Sequence, residues 1–308
     1  MHSIKKENPI TPDSPSVPNL AVAYFLASRP KTWIAGLSPV WIGGALASRK
    51  TEIDYKIFFL TLLFSLLIQI GTNFANDYFD FLNGADTNLR KGPKRATQEG
   101  WISPIAMQRA AIAIFLSAFL TAIPLMAIAG LWSLPVALLC IAFGILYTGG
   151  PKPLGYLGLG EFLVLIFFGP VAVCGTYFLQ TFSLSPSIFI ASLSPGLISC
   201  AILIANNLRD EISDRATNKR TLIVRLGHRF GCWEYSLALF AALLVPAILI
   251  LFYGAPLPLS FASLFIIVFI PQIRKAFRSL DPNEIASLLP VTALILLLYT
   301  TIFCLTYA

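Results

Sequence analysis

The chain has 308 residues, 56% of them hydrophobic and only 12% charged, with a mean hydropathy of +0.76. Those values exclude an ordinary soluble domain and point to a multi-spanning membrane protein. The formal charge is +7, and with His2 in the N-terminal tail and His228 in a loop, histidine-based triads and zinc-helix motifs are not expected on supply alone.

Residues 1–28 are polar and proline-rich and lack the apolar core of a signal peptide, so they read as a flexible tail. The remainder, 29–308, reads as one transmembrane domain. A helix needs about twenty apolar residues to cross a bilayer. Nine stretches qualify, near 32–48, 57–83, 103–129, 131–147, 160–180, 186–214, 230–253, 257–276 and 285–307. None shows the alternation of a barrel strand, so the fold class is all-α, a multi-spanning membrane helical bundle of about nine transmembrane helices.

Lysine and arginine orient that bundle. With nine spans, all of the 22 basic residues except Arg49, Lys50 and Lys56 fall on one side. The positive-inside rule makes that side cytoplasmic, with the N-terminus inside and the C-terminus opposite, as expected for a plasma (inner) membrane protein. The positive charge is therefore a topological feature, and no nucleic-acid partner is expected. Cys140, Cys174, Cys200, Cys232 and Cys304 are scattered at no metal-ligand spacing and read as apolar filler.

Two predicted helices run from apolar sequence straight into carboxylates, which are costly in lipid unless partnered. In the second, Asn73, Asp77 and Asp80 follow i, i+4, i+7 spacing and share one stripe. Asn83-Gly84 then forms a stop, with Asp86 just beyond. In the sixth, Asn206, Asp210 and Asp214 follow i, i+4, i+8, with Asn207 at i+3 from Asp210. Glu211 faces elsewhere and is expected to pair with Arg215 or Arg209. Hard oxygen ligands of this kind suit magnesium, which typically takes one or two carboxylates plus substrate phosphates. Two such helices facing one another would hold two magnesium ions with a diphosphate between them. The basic runs after each cluster, 90–95 and 215–220, would offset the diphosphate charge.

Four segments carry a family resemblance: NDYFDFLNGAD (76–86), GPKRATQEGWIS (92–103), LYTGGPKPLGYLGLGE (146–161) and NNLRDEISDRATNKRTLIVRLG (206–227). Together they resemble the UbiA superfamily of intramembrane aromatic prenyltransferases, most closely the 1,4-dihydroxy-2-naphthoate polyprenyltransferases of menaquinone synthesis. The resemblance spans about residues 29–308. It implies a UbiA-like nine-helix bundle whose cavity opens sideways to lipid, with two Mg2+ ions beneath the diphosphate of a polyprenyl donor.

Position by position, it implies Asn73, Asp77, Asp80 and Asp86 for the first magnesium site and Asn207, Asp210 and Asp214 for the second. Asp77 and Asp210 would be the catalytic carboxylates. Lys152 matches the diphosphate-binding lysine, and Tyr147 a tyrosine facing the reactive allylic carbon. Arg95, Lys219 and Arg220 are further phosphate contacts. Arg29, in SRPKTW (28–33), is matched to the acceptor's carboxylate. Asn218 stands where many relatives carry glycine; asparagine tolerates a left-handed backbone better than most residues.

The implied partners are polyprenyl diphosphate, 1,4-dihydroxy-2-naphthoate and membrane lipid. The implied reaction is electrophilic aromatic substitution with loss of CO2 and diphosphate, giving demethylmenaquinone. Phe79, Phe143 and Tyr147 are candidate walls for an allylic cation. Alternative acceptors are 4-hydroxybenzoate, homogentisate or an isomeric naphthoate. A cation transporter is the non-enzymatic alternative, because intramembrane carboxylates also mark ion paths.

Overall fold

A computed structural model describes residues 18–85 and 92–307. Asp86, Arg90 and Lys91 lie outside the described residues, as do His2, Lys5 and Lys6. The described chain forms α1 (Leu20–Ala27), α2 (Pro30–Ser48), α3 (Tyr55–Leu82), α4 (Pro104–Ala129), α5 (Leu134–Leu146), α6 (Gly160–Ile166), α7 (Ala172–Thr181), α8 (Pro186–Ala216), α9 (Leu222–Leu226), α10 (His228–Tyr253), α11 (Ile266–Arg278), α12 (Pro282–Ile285) and α13 (Leu288–Tyr307).

Helix starts follow local chemistry. Asp54 accepts from the Lys56 and Ile57 amides to open α3, and Ser103 with Pro104 opens α4. Among the described residues, seven rods are long and apolar enough to cross a membrane: α3, α4, α6–α7, α8, α10, Leu257–Arg278 and α12–α13. The protein is an integral membrane bundle. The rod around α5, Leu131–Leu146, is shorter, about 24 Å at the helical rise. α2 is less apolar, since its glycines, serines and Lys31 dilute the hydrophobic residues.

α8 is the central post. Of its most apolar stretch 67% is buried, against 19–44% in the other six spans. Two core layers flank it. One joins Ile42, Val173, Ile198, Leu249 and Phe303; the other joins Ile204, Leu208, Ile223, Tyr235 and Phe269. Between α6 and α7 the chain widens into one π-helical turn, Phe167–Val171, where Pro170 interrupts the ladder. A Cβ built on Gly169 would lie 2.9 Å from Ser192 O, so only glycine lets this rod sit so close to α8.

Order begins before residue 29. α1 buries Ala23 and Ala27 in a cluster with Phe74, Ala96, Ile102 and Met107. Arg29, between α1 and α2, holds a left-handed φ of 52°. Asn218 is left-handed too, with φ 57°, the conformation that glycine and asparagine adopt at least cost.

Candidate active site

The polar site gathers at one end of the bundle, where α3, α5, α6 and α8 finish or begin. Asn73, Asp77 and Asp80 are all buried on α3. Asn73 donates its amide hydrogens to Ser28 O at 2.8 Å and Thr32 Oγ1 at 3.0 Å, tying α3 to the α1–α2 elbow beside Arg29. The carboxylate of Asp77 accepts from the Ala96 and Thr97 amides at 3.1 and 3.0 Å, so it folds the 92–103 segment back over the helix. Arg95, carried on that segment, forms a buried ion pair with Asp80 Oδ2. Asp80 Oδ1 accepts from the Tyr156 hydroxyl at 2.8 Å.

On α8, Asn207, Asp210 and Asp214 are likewise buried. The guanidinium of Arg209 grips Asp210 through Nε at 2.8 Å and Nη2 at 2.6 Å, and also donates to Asn206 Oδ1 at 2.7 Å. Asn207 donates to the buried Glu161 at 2.8 Å. Lys219 lies 3.3 Å from Asp214 Oδ1. Glu211 pairs instead with exposed Arg215 at 3.0 Å and with His228 at 3.1 Å.

Tyr156 draws the two clusters together. Besides its bond to Asp80, its ring lies 5.7 Å beneath Lys219 Nζ and its carbonyl accepts from the Arg220 amide at 3.1 Å. Asp80 and Asp210 both lie within electrostatic reach of Asp214. Sequence reading missed Tyr156, Glu161 and Arg209 as contributors. The first two stand in the 146–161 segment, and only the turn at Leu154–Leu157 shows which way Tyr156 faces.

Not every expected residue joins. Lys152 and the Arg220 side chain are exposed on their loops, and Lys152 makes no ion pair among the described residues. Phe79 packs beneath Gly149 and against Tyr78, and is absent from the lining of the adjoining cavity.

That cavity, about 480 Å³, reaches from Asn73, Asn76 and Tyr147 along the bundle to Trp132 and Leu184. Its wall is mainly apolar, with Phe143 and Phe167 in tilted contact at 5.2 Å between ring centroids. Aromatic faces favour a nearby cation, and the apolar space suits an isoprenoid chain.

The donors at the mouth are carboxylate and amide oxygens, the set a hard divalent cation takes. Among the described residues, no three His, Cys, Asp or Glu side chains stand ready around one point, because arginine and lysine hold several of the carboxylates. One observation fits a cation: Asp214 Oδ2 is buried with no hydrogen-bond partner. An anionic oxygen left so is costly. Of the expected ligands, Asn73, Asp77, Asp80, Asn207, Asp210 and Asp214 are the ones the described residues contain.

The UbiA prenyltransferase family model matches residues 36–305. The chain is 34% identical over 294 residues to a 1,4-dihydroxy-2-naphthoate octaprenyltransferase of Haemophilus influenzae, covering 92% of this chain and 94% of that one. It is also 34% identical to the enzyme of that name from Escherichia coli, with the same coverage. Among solved structures, a UbiA homolog from Archaeoglobus fulgidus bound to GPP and Mg2+ shares the fold. Its TM-score is 0.66 at 16% identity, over 92% of this chain and 99% of that one.

Proposed function

This chain belongs to the UbiA prenyltransferase family, and from that premise we propose that it transfers a polyprenyl group from polyprenyl diphosphate to 1,4-dihydroxy-2-naphthoate. CO2 and diphosphate are lost and demethylmenaquinone forms. One observation carries the reading: two carboxylate clusters, joined through Tyr156, lie within electrostatic reach of Tyr147, which with Asn73 lines one end of an apolar cavity.

The isoprenoid tail occupies the cavity, while the diphosphate stays among the charges at its mouth. Asn73, Asp77 and Asp80, and Asn207, Asp210 and Asp214, would hold magnesium, which would supply charge neutralisation at the leaving diphosphate. Asp86 is proposed for the first of these sets on its sequence position. Arg95 and Lys219 already stand beside carboxylates within the site and contribute fixed positive charge to the phosphate oxygens. Lys152 and Arg220 sit on neighbouring loops, and closing onto the donor would bring them in.

As the allylic C–O bond lengthens, positive charge develops on the terminal carbon. The faces of Phe143, Phe167 and Tyr147 flank that carbon, and the apolar wall excludes water that would trap the cation. The electron-rich ring attacks at the carboxylate-bearing carbon, and loss of CO2 restores aromaticity. Arg29, fixed at the elbow by Asn73, is proposed to receive the acceptor's carboxylate.

The bundle sits in the plasma membrane with its basic face, N-terminus and active site cytoplasmic and its C-terminus opposite. Catalysis rests on the single unit 29–308. The test is purified protein with labelled polyprenyl diphosphate, Mg2+ and a panel of aromatic acids. Prenylated product from dihydroxynaphthoate, lighter by CO2, supports the reading. Product only from 4-hydroxybenzoate or homogentisate overturns the acceptor, and no product from any acid overturns the activity.

A further inference from the structure

Three threonines line the cavity: Thr61, Thr72 and Thr176. Two are satisfied by their own helices, Thr61 donating to Ile57 O at 2.8 Å and Thr176 to Ala172 O at 2.7 Å. That back-bond is the usual outlet for a helical threonine. Thr72 does not use it, and its hydroxyl makes no hydrogen bond among the described residues.

Gln69 stands three residues earlier on the same face of α3 and also lines the cavity. One of its amide hydrogens goes to Thr32 Oγ1 at 3.2 Å. Its carbonyl oxygen and second amide hydrogen remain for whatever enters. Gly144 keeps space open opposite, since a Cβ there would lie 2.6 Å from Thr72 Oγ1.

A polar pair in a mainly apolar wall needs a partner with hydrogen-bonding atoms. The isoprenoid tail has none. The diphosphate belongs with the charges about one helical turn further along, beyond Asn73 and Asn76. What remains is the aromatic acceptor, whose ring must lie beside the reacting carbon at the junction of tail and mouth.

We propose that Thr72 and Gln69 form the subsite for the ring hydroxyls of the acceptor and so determine its specificity. This rests on the prenyltransferase reading above. Gln69 Oε1 accepts from one ring hydroxyl, and Thr72 exchanges a hydrogen bond with the other. An aromatic acid lacking a hydroxyl leaves one of these groups unpaired and is discriminated against.

The test is steady-state kinetics of Thr72→Val, Thr72→Ser and Gln69→Leu with the dihydroxy acid and with its monohydroxy analogues, beside thermal midpoints. Thr72→Val and Gln69→Leu are expected to raise the KM for the dihydroxy acid about tenfold or more. Preference over one monohydroxy analogue should collapse, donor KM should stay within about twofold of the parent, and Thr72→Ser should restore the parent values. An unchanged acceptor KM and preference in both variants, or a shift in donor KM instead, overturns the proposal. If the parent protein itself prenylates no aromatic acid, the prenyltransferase reading fails first and takes the subsite with it.

Discussion

The Tyr156 hydroxyl donates to Asp80 Oδ1 at 2.8 Å, although 76 residues separate them along the chain. The same ring carries Lys219 on its face, so one tyrosine ties the α3 carboxylates to the α8 carboxylates. Tyr156→Phe keeps the platform and loses the bond to the charge, worth ~1.5–3 kcal/mol. The expected result is a kcat/KM lower by ~10–100-fold. Tyr156→Ala removes the platform as well and should cost more, with a raised KM for the donor.

Asp77 has a double duty, since its carboxylate also fastens the 92–103 segment through Ala96 and Thr97. Asp77→Ala is expected to abolish turnover while the protein still inserts and purifies. It should also speed tryptic cleavage at Lys94 and Arg95, read by limited proteolysis. Normal turnover at saturating magnesium would remove Asp77 from the site.

Asp210 shares its charge with a buried guanidinium, Arg209 being only 4% exposed. Removing one partner of such a pair costs ~3–5 kcal/mol, because the other is left buried and uncompensated. Asp210→Ala should therefore lose both activity and thermal stability. Adding Arg209→Met is expected to recover stability and leave activity absent, which separates the structural from the catalytic loss.

Chelation of divalent ions is expected to stop turnover and magnesium to restore it. A cation bound only by the folded chain also raises its stability, by ~2.7 kcal/mol at a hundred times Kd. A magnesium-dependent rise in thermal midpoint should be present in the parent and reduced in Asp214→Asn. Equal midpoints with and without magnesium in the parent would count against a bound ion.

Gly175 lines the cavity, and a Cβ built there meets nothing within 4 Å. Gly175→Phe should fold normally and project its ring into the tail space. Turnover of long polyprenyl donors is expected to fall by at least tenfold, with geranyl diphosphate much less affected. Equal loss for both donors would place the tail elsewhere.

The rods were legible because length and apolarity are local properties, and all nine expected stretches coincide with observed helices to within a few residues. The spacing of Asn73, Asp77 and Asp80 was legible for the same reason. What those side chains bond to was not. Asp77 meets backbone amides about twenty residues on, and Arg209 curls back onto its own neighbour Asp210, a pairing that helical spacing disfavours. Tyr156 depends on a short 3-10 turn, and the exposed position of Lys152 on a loop path, neither written in periodicity.

Asn218 gives this mouth an unusual form of adjustment. Its left-handed torsion sends the chain back so that the Lys219 amide meets Asp214 O at 2.9 Å and the ammonium stands between Asp214 and Tyr156. That cation is therefore aimed by the backbone angle of its neighbour, not by its own rotamer alone. A β-branched residue at 218 would swing that ammonium away without touching a single charged group, detuning the pocket by hinge rather than by chemistry.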